Sequence, residues 1–172
     1  MSIKVAAGDE LPSVGLRASD GYLLNLRSFV TKQPAFLLFF GAPTLKAAAA
    51  APGLAAIQAL GAAHGRLREA GIGVVAISCD SEQEQGDFAA QYKLPFLLLS
   101  DERRSAVQLL GIPTVAQGDN VNVARPVAIA VDREGIVRSV IDRIDPRYFI
   151  EHVMSTLSKP MPATAGDAGA AS

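Results

Sequence analysis

Thiol chemistry has one candidate in this chain, Cys79, which falls near the end of the apolar run VVAISCD, residues 74–80. The thiolate is the reactive form of cysteine, so such a residue needs exposure and an electropositive neighbour to act. Cys79 therefore has two readings: a displaced redox residue at a strand end, or the small buried hydrophobe that free cysteine usually is. Surroundings that acidify a thiol occur elsewhere. In FLLFFGAPTLKAAAAAPGL, residues 36–54, a run of strand length breaks at Gly41 and delivers a short loop onto an alanine-rich helix. Free N–H groups and the positive dipole end gather at such a junction. The loop holds Thr44 and Lys46 but no cysteine. Thr44 suits a helix cap as well as ligand contact, and Lys46 suits an anion contact or plain solvation. His64 and His152 have no partner spacing for metal or triad chemistry, while Asp80, Asp101 and Asp132 read as turn and cap residues. One cysteine excludes an internal disulfide, and no cysteine–histidine cluster has zinc spacing; no metal or cofactor is expected.

The elements that must position these residues follow from pattern. Short extended pieces are expected at Ile3–Val14 and Tyr22–Leu24 around an Asp20–Gly21 turn, then a turn of helix at Leu26–Val30. Phe36–Phe40 is the first central strand. Ala47–Ala70 carries Leu54, Ile57, Leu60 and Leu67 on one helical face, and Pro52, which cannot donate to the carbonyl of Ala48, should kink it. Gly71–Gly73 ends that helix, and VVAIS reads as a strand buried on both faces. Ser81 and Glu84 form a capping box for a helix to about Tyr92. Pro95–Leu99 is a strand, and Asp101 caps a helix to Leu110 with Gly111 as its stop. Ile112–Ala124 looks irregular. Val127–Val131 and Ile136–Ile141 flank a hairpin turn at Asp132–Gly135, and Asp145–Pro146 opens a last helix to about Leu157. Residues 1–158 are expected to fold as one domain. From Lys159 the chain turns to proline, alanine and glycine, and 159–172 is expected to be a disordered tail.

Composition sets independent bounds. A chain of 172 residues, 49% hydrophobic and 19% charged, can bury a sizeable core. A net charge of -1 offers no field for nucleic acid or an anionic membrane surface. No apolar run approaches a membrane span, and the start MSIKVAAGDELP has no apolar leader, so a cytoplasmic location is expected.

Several segments together resemble the thioredoxin fold, and within it the peroxiredoxins of the alkyl hydroperoxide reductase and thiol-specific antioxidant (AhpC/TSA) group, of the bacterioferritin-comigratory-protein kind. Gly8-Asp9-Glu10-Leu11-Pro12 with Asp20-Gly21 resembles that family's opening hairpin. Ser78-Cys79-Asp80-Ser81 resembles its S-x-D-S strand end, and residues 92–101, YKLPFLLLSD, resemble Y-x-L-P-F-x-L-L-S-D. The similarity runs from about Val5 to Leu157. It implies a thioredoxin-like three-layer α/β/α sandwich with a central mixed sheet and an N-terminal hairpin. The implied activity is thiol-dependent reduction of hydrogen peroxide or organic hydroperoxides, with a hydroperoxide substrate, a thiol reductant, no nucleic acid and no membrane as partners. Peroxiredoxins often dimerise, which leaves a homodimer open.

The family's active loop reads P-x-x-x-T-x-x-C, with a helix-kinking proline five residues after the cysteine in the thioredoxin-like pattern. Thr44 fits the threonine, Pro52 fits the kink, and Ala47 falls at the peroxidatic cysteine; Phe40 replaces the first proline. Starting the motif at Pro43 instead puts Ala47 at the threonine and Ala50 at the cysteine, losing both matches. Two explanations of Ala47 stay open, a naturally degenerate member and a cysteine-to-alanine variant. Arg125 lies where the family places the arginine that pairs with the thiolate, although the family's R-x-T-F-x-I-D puts it six residues before the aspartate and Arg125 is seven before Asp132. Pro126 takes the sixth place and resembles the cis-proline of thioredoxin-like reductases. Exported reductases of the TlpA and ResA kind are a second comparison: Pro43-Thr44-Leu45-Lys46-Ala47 and Pro52 fit their W-C-x-x-C spacing with both cysteines absent. A non-catalytic binding or assembly module that kept the fold is the rival from another class.

Overall fold

The computed structural model describes residues 4–40, 51–117 and 120–158. Its elements in chain order are β1 (Gly15–Ala18), β2 (Leu23–Asn25), α1 (Leu26–Val30), β3 (Ala35–Phe39), α2 (Ala51–Glu69), β4 (Gly73–Ser78), α3 (Glu82–Tyr92) and β5 (Leu97–Ser100). They continue as α4 (Ser105–Leu110), β6 (Thr114–Gln117), β7 (Asn120–Ala124), β8 (Val127–Val131), β9 (Val137–Ile141) and α5 (Phe149–Ser158). A seven-stranded mixed sheet runs in the order β2-β1-β5-β4-β3-β8-β9, with β4 parallel to both β3 and β5 and β8 antiparallel to β3. This is the thioredoxin-like α/β architecture expected from the sequence.

The centre of the sheet is apolar because it is covered twice. Every residue of β3 is buried, and its alternate side chains go to opposite cores. Leu37 and Phe39 join Val75, Ile77 and Ile129 with residues of α1 and α4. Phe36 and Leu38 join Ala76 and Leu98 with residues of α2, α3 and α5. The predicted face of α2 is the buried one: Ile57, Leu60 and Leu67 are fully buried and Leu54 partly so. Gly71, at φ 75°, takes the left-handed conformation that ends the helix turn. Ser81 caps α3 through the full box, its hydroxyl accepting from Glu84 N and its own N–H donating to the Glu84 carboxylate.

Four expectations need correction. The extended pieces expected before the Asp20–Gly21 turn give way to a paired strand only at β1, beyond 4–14, because the turn closes through Ala18 N–H to Tyr22 O and the paired strands must flank it directly. Ile112–Ala124 is not irregular: β6 and β7 form a two-stranded antiparallel sheet of their own, and alternation of valine with polar residues in Asn120–Ala124 was a strand signal. The helix after Asp101 starts only at Ser105, and Asp101 reaches forward, its carboxylate accepting from Ala106 and Val107 N–H. The last helix begins at Phe149; Asp145 instead organises the preceding turn, accepting from Arg147 N–H. The carbonyl of Ala48, on which the Pro52 kink depends, and the tail from 159 lie outside the described residues. Among the described residues no helix is long and apolar enough to cross a membrane.

Candidate active site

The carboxyl edge of the sheet is where open α/β folds offer backbone ends to a ligand, and here three chain segments meet around the end of β3. Phe40 follows β3 and donates its N–H to Ile77 O at 3.1 Å. On one side Cys79 lies two residues beyond Ile77, the β4 partner of Phe39. On the other, Arg125 lies two residues before Val127, the β8 partner of Phe39. The helix α2 returns against the same point through Gly53: a Cβ there would sit 2.1 Å from the Phe40 carbonyl oxygen. Only glycine allows that approach, so Phe40 and Gly53, on either side of residues 41–50 in the chain, lie against one another.

Thr44, Lys46 and Ala47 lie in that segment, outside the described residues. The flanking candidates differ in character. Arg125 is exposed, with its backbone N–H donating to Pro113 O at 2.8 Å. Pro126 is half-buried and its peptide bond is trans, since no described residue has a cis bond; the likeness to a reductase cis-proline does not extend to its geometry. Cys79 is 7% exposed and belongs to the α1/α4 core. Burial pushes its thiol up from 9.0, against the opposing pull of the Ala124 N–H and the Arg104 charge, while Asp101 and Asp80 push it further up. A thiol so placed is protonated at neutral pH and shielded from solvent, the reverse of a reactive cysteine.

A polar cluster that the sequence reading missed underlies the Cys79 strand end. Ser78 donates to the Asp80 carboxylate at 2.9 Å and accepts from Gln85 Nε2 at 2.9 Å. Ser100 donates to Asp80 O at 2.8 Å. Asp101 is buried, and desolvation raises its carboxyl above 3.8 although backbone N–H groups from α4 and the Arg104 charge oppose this. Arg104, at φ 60°, donates from Nη1 to the carbonyls of Cys79 and Glu102. Thus Arg104, rather than Arg125, is the cation whose field reaches the thiol. No sequence signal marked it, because a non-glycine left-handed residue before a short helix has no fixed pattern. His64 packs against Phe96, and His152 against Ser139 Oγ at 3.2 Å; they lie in separate places and form no joint site.

The AhpC/TSA family model matches residues 7–140. The chain belongs to the AhpC/TSA family. Among curated relatives, peroxiredoxin Q, chloroplastic, of Sedum lineare is 29% identical over 156 residues, covering 90% of this chain and 78% of the relative. Peroxiredoxin Bcp of Escherichia coli K12 is 29% identical over 140 residues, covering 79% and 85%. Among solved structures, peroxidoxin BcpB of Mycobacterium tuberculosis superposes with a TM-score of 0.76 at 19% identity, over 89% of this chain and 96% of that one. The AhpC/TSA match spans the opening hairpin, the strand end at Ser78–Ser81 and residues 92–101, the segments on which the resemblance rested. It makes this family, rather than the TlpA and ResA reductases, the frame for the site.

Proposed function

We propose that this AhpC/TSA protein keeps a peroxiredoxin scaffold but carries alanine, Ala47, at the peroxidatic position, so that it does not reduce peroxides there and serves as a non-catalytic binding module. The carrying observation is where the chain keeps its one thiol. Cys79 directly follows β4 among core side chains and burial raises its pKa, while residues 41–50 contain no cysteine. In the family reaction a thiolate sulfur attacks one peroxide oxygen, the O–O bond breaks, and the other oxygen leaves and takes a proton as water or alcohol. The sulfur becomes a sulfenic acid, and a second thiol condenses with it to a disulfide and water, which further thiol reduces. Alanine supplies no nucleophile for the first of these steps.

The surroundings support a site silenced by one residue. The end of β3, the close Gly53 contact and exposed Arg125 still frame the 41–50 segment. In this reading Thr44 would orient a peroxide and Arg125 would pair with a thiolate at position 47, and the Ala47→Cys form would take a hydroperoxide and a thiol reductant as its partners. Peroxide consumption by this chain and by Ala47→Cys, each with a small thiol reductant, tests the proposal. Turnover by Ala47→Cys alone is the expected result. Turnover by the unaltered chain, with a sulfenic-acid probe mapped by mass to Cys79, would overturn it and move the chemistry to β4.

A further inference from the structure

Away from the β3 edge, a groove of about 420 Å3 runs along α4, a volume suited to a small organic ligand. Residues 104, 107, 108 and 111, spaced as one helical face, form its helix side. Val107 and Ile112, 3% and 2% exposed, make an apolar floor, and Gln108 and Thr114 add neutral polar groups. Its ends are cationic. Arg104 stands at the start of α4, held by bonds to the Cys79 and Glu102 carbonyls. Lys4 lies across the other end: its Cγ is 2.5 Å from where a Gly111 Cβ would be, and Gly111, at φ 65°, is the residue that admits it. At a helical rise of about 1.5 Å per residue the two ends are roughly 10 Å apart.

No acidic side chain is among the described lining residues, and Lys4 makes no ion pair among the described residues. An apolar floor beside the exposed Lys4 ammonium is complementary to one ligand class. We propose that this groove binds a small aliphatic monocarboxylate, its chain over Val107 and Ile112 and its carboxylate paired with Lys4. The inference goes beyond the proposed loss of peroxidase chemistry and does not depend on it.

Isothermal titration of the full chain with sodium octanoate, with octanol and octylammonium as controls, tests the proposal. Gln108 is exposed on α4, so Gln108→Glu places a like charge beside the ligand without touching the core. The expected result is saturable one-to-one octanoate binding, weakened about tenfold or more by Gln108→Glu and by Lys4→Gln, with no comparable binding of either control. Circular dichroism of both variants should match the parent. Absence of octanoate binding, equal binding of octanol, or binding indifferent to both substitutions would overturn the proposal.

Discussion

Replacing Gly53 by alanine should destabilise this protein, although alanine is the better helix former. In an open helical position the exchange is worth up to about 1 kcal/mol in favour of alanine. At position 53 the new Cβ would lie 2.1 Å from Phe40 O, whereas ordinary contact begins near 3.4 Å. The obstacle is backbone and cannot rotate away, so α2 must retreat from β3 by roughly 1 Å, loosening buried Ile57 and Leu60. Overpacking of this kind costs about 1–3 kcal/mol, which offsets or exceeds the propensity gain and leaves a net loss of up to about 2 kcal/mol. Gly65, in the same helix, is exposed with nothing within 4 Å of its virtual Cβ; Gly65→Ala should gain about 0.5–1 kcal/mol. Thermal unfolding followed by circular dichroism compares the two variants with the parent, at a scale where 1 kcal/mol moves Tm by about 2–4 °C for a chain of this size. Equal stabilisation by both substitutions would refute the close approach of α2 to the end of β3, and with it the framing of the 41–50 segment.

Two further outcomes follow from the same geometry. Ser81→Ala removes a hydroxyl that accepts from Glu84 N–H, and it should cost about 1 kcal/mol in urea unfolding. Cys79 should label slowly with iodoacetamide in the folded protein and rapidly in denaturant. Because burial raises its folded pKa above 9.0, the unfolded chain loses the proton first as pH rises; this contribution to stability is full below pH 9.0 and declines above it, so unfolding midpoints should fall more steeply on the alkaline side in the parent than in Cys79→Ala. Fast native labelling, or identical alkaline slopes, would contradict the buried position.

Central elements were readable because both of their causes are local. β3 and β4 are continuous apolar runs bounded by turn residues, and only a strand buried on both faces has use for that composition. The capping box at Ser81 and Glu84 and the stops at Gly71 and Gly111 carry their geometry in single residues. What the sequence hid depended on partners far away in the chain. Asp101 looked like an adjacent cap because its reach to Ala106 and Val107 is set by Asp101 N–H bonding Ser78 O. Gly53 looked like a weak point in a helix, and only the path of Phe40 makes it a requirement.

The same distinction bears on the site. A peroxidatic cysteine sits in a loop and first helical turn, where its side chain contributes to chemistry rather than to the sheet, whereas the residues that build the edge, Phe39, Phe40, Gly53 and Val127, are fixed by core packing and backbone contact. On the proposed assignment, a change at position 47 removes a nucleophile without asking any strand to move. Cys79 shows the converse: its strand end is held by Ser78, Asp80, Gln85 and Ser100, and the packing that makes the edge rigid is what shields the sulfur and keeps it protonated. The chain's one thiol lies where the fold uses a small apolar side chain, and residues 41–50 contain no cysteine. In the proposed reading, peroxide chemistry would need one side chain, a cysteine at position 47, while recruiting Cys79 would require dismantling part of the core.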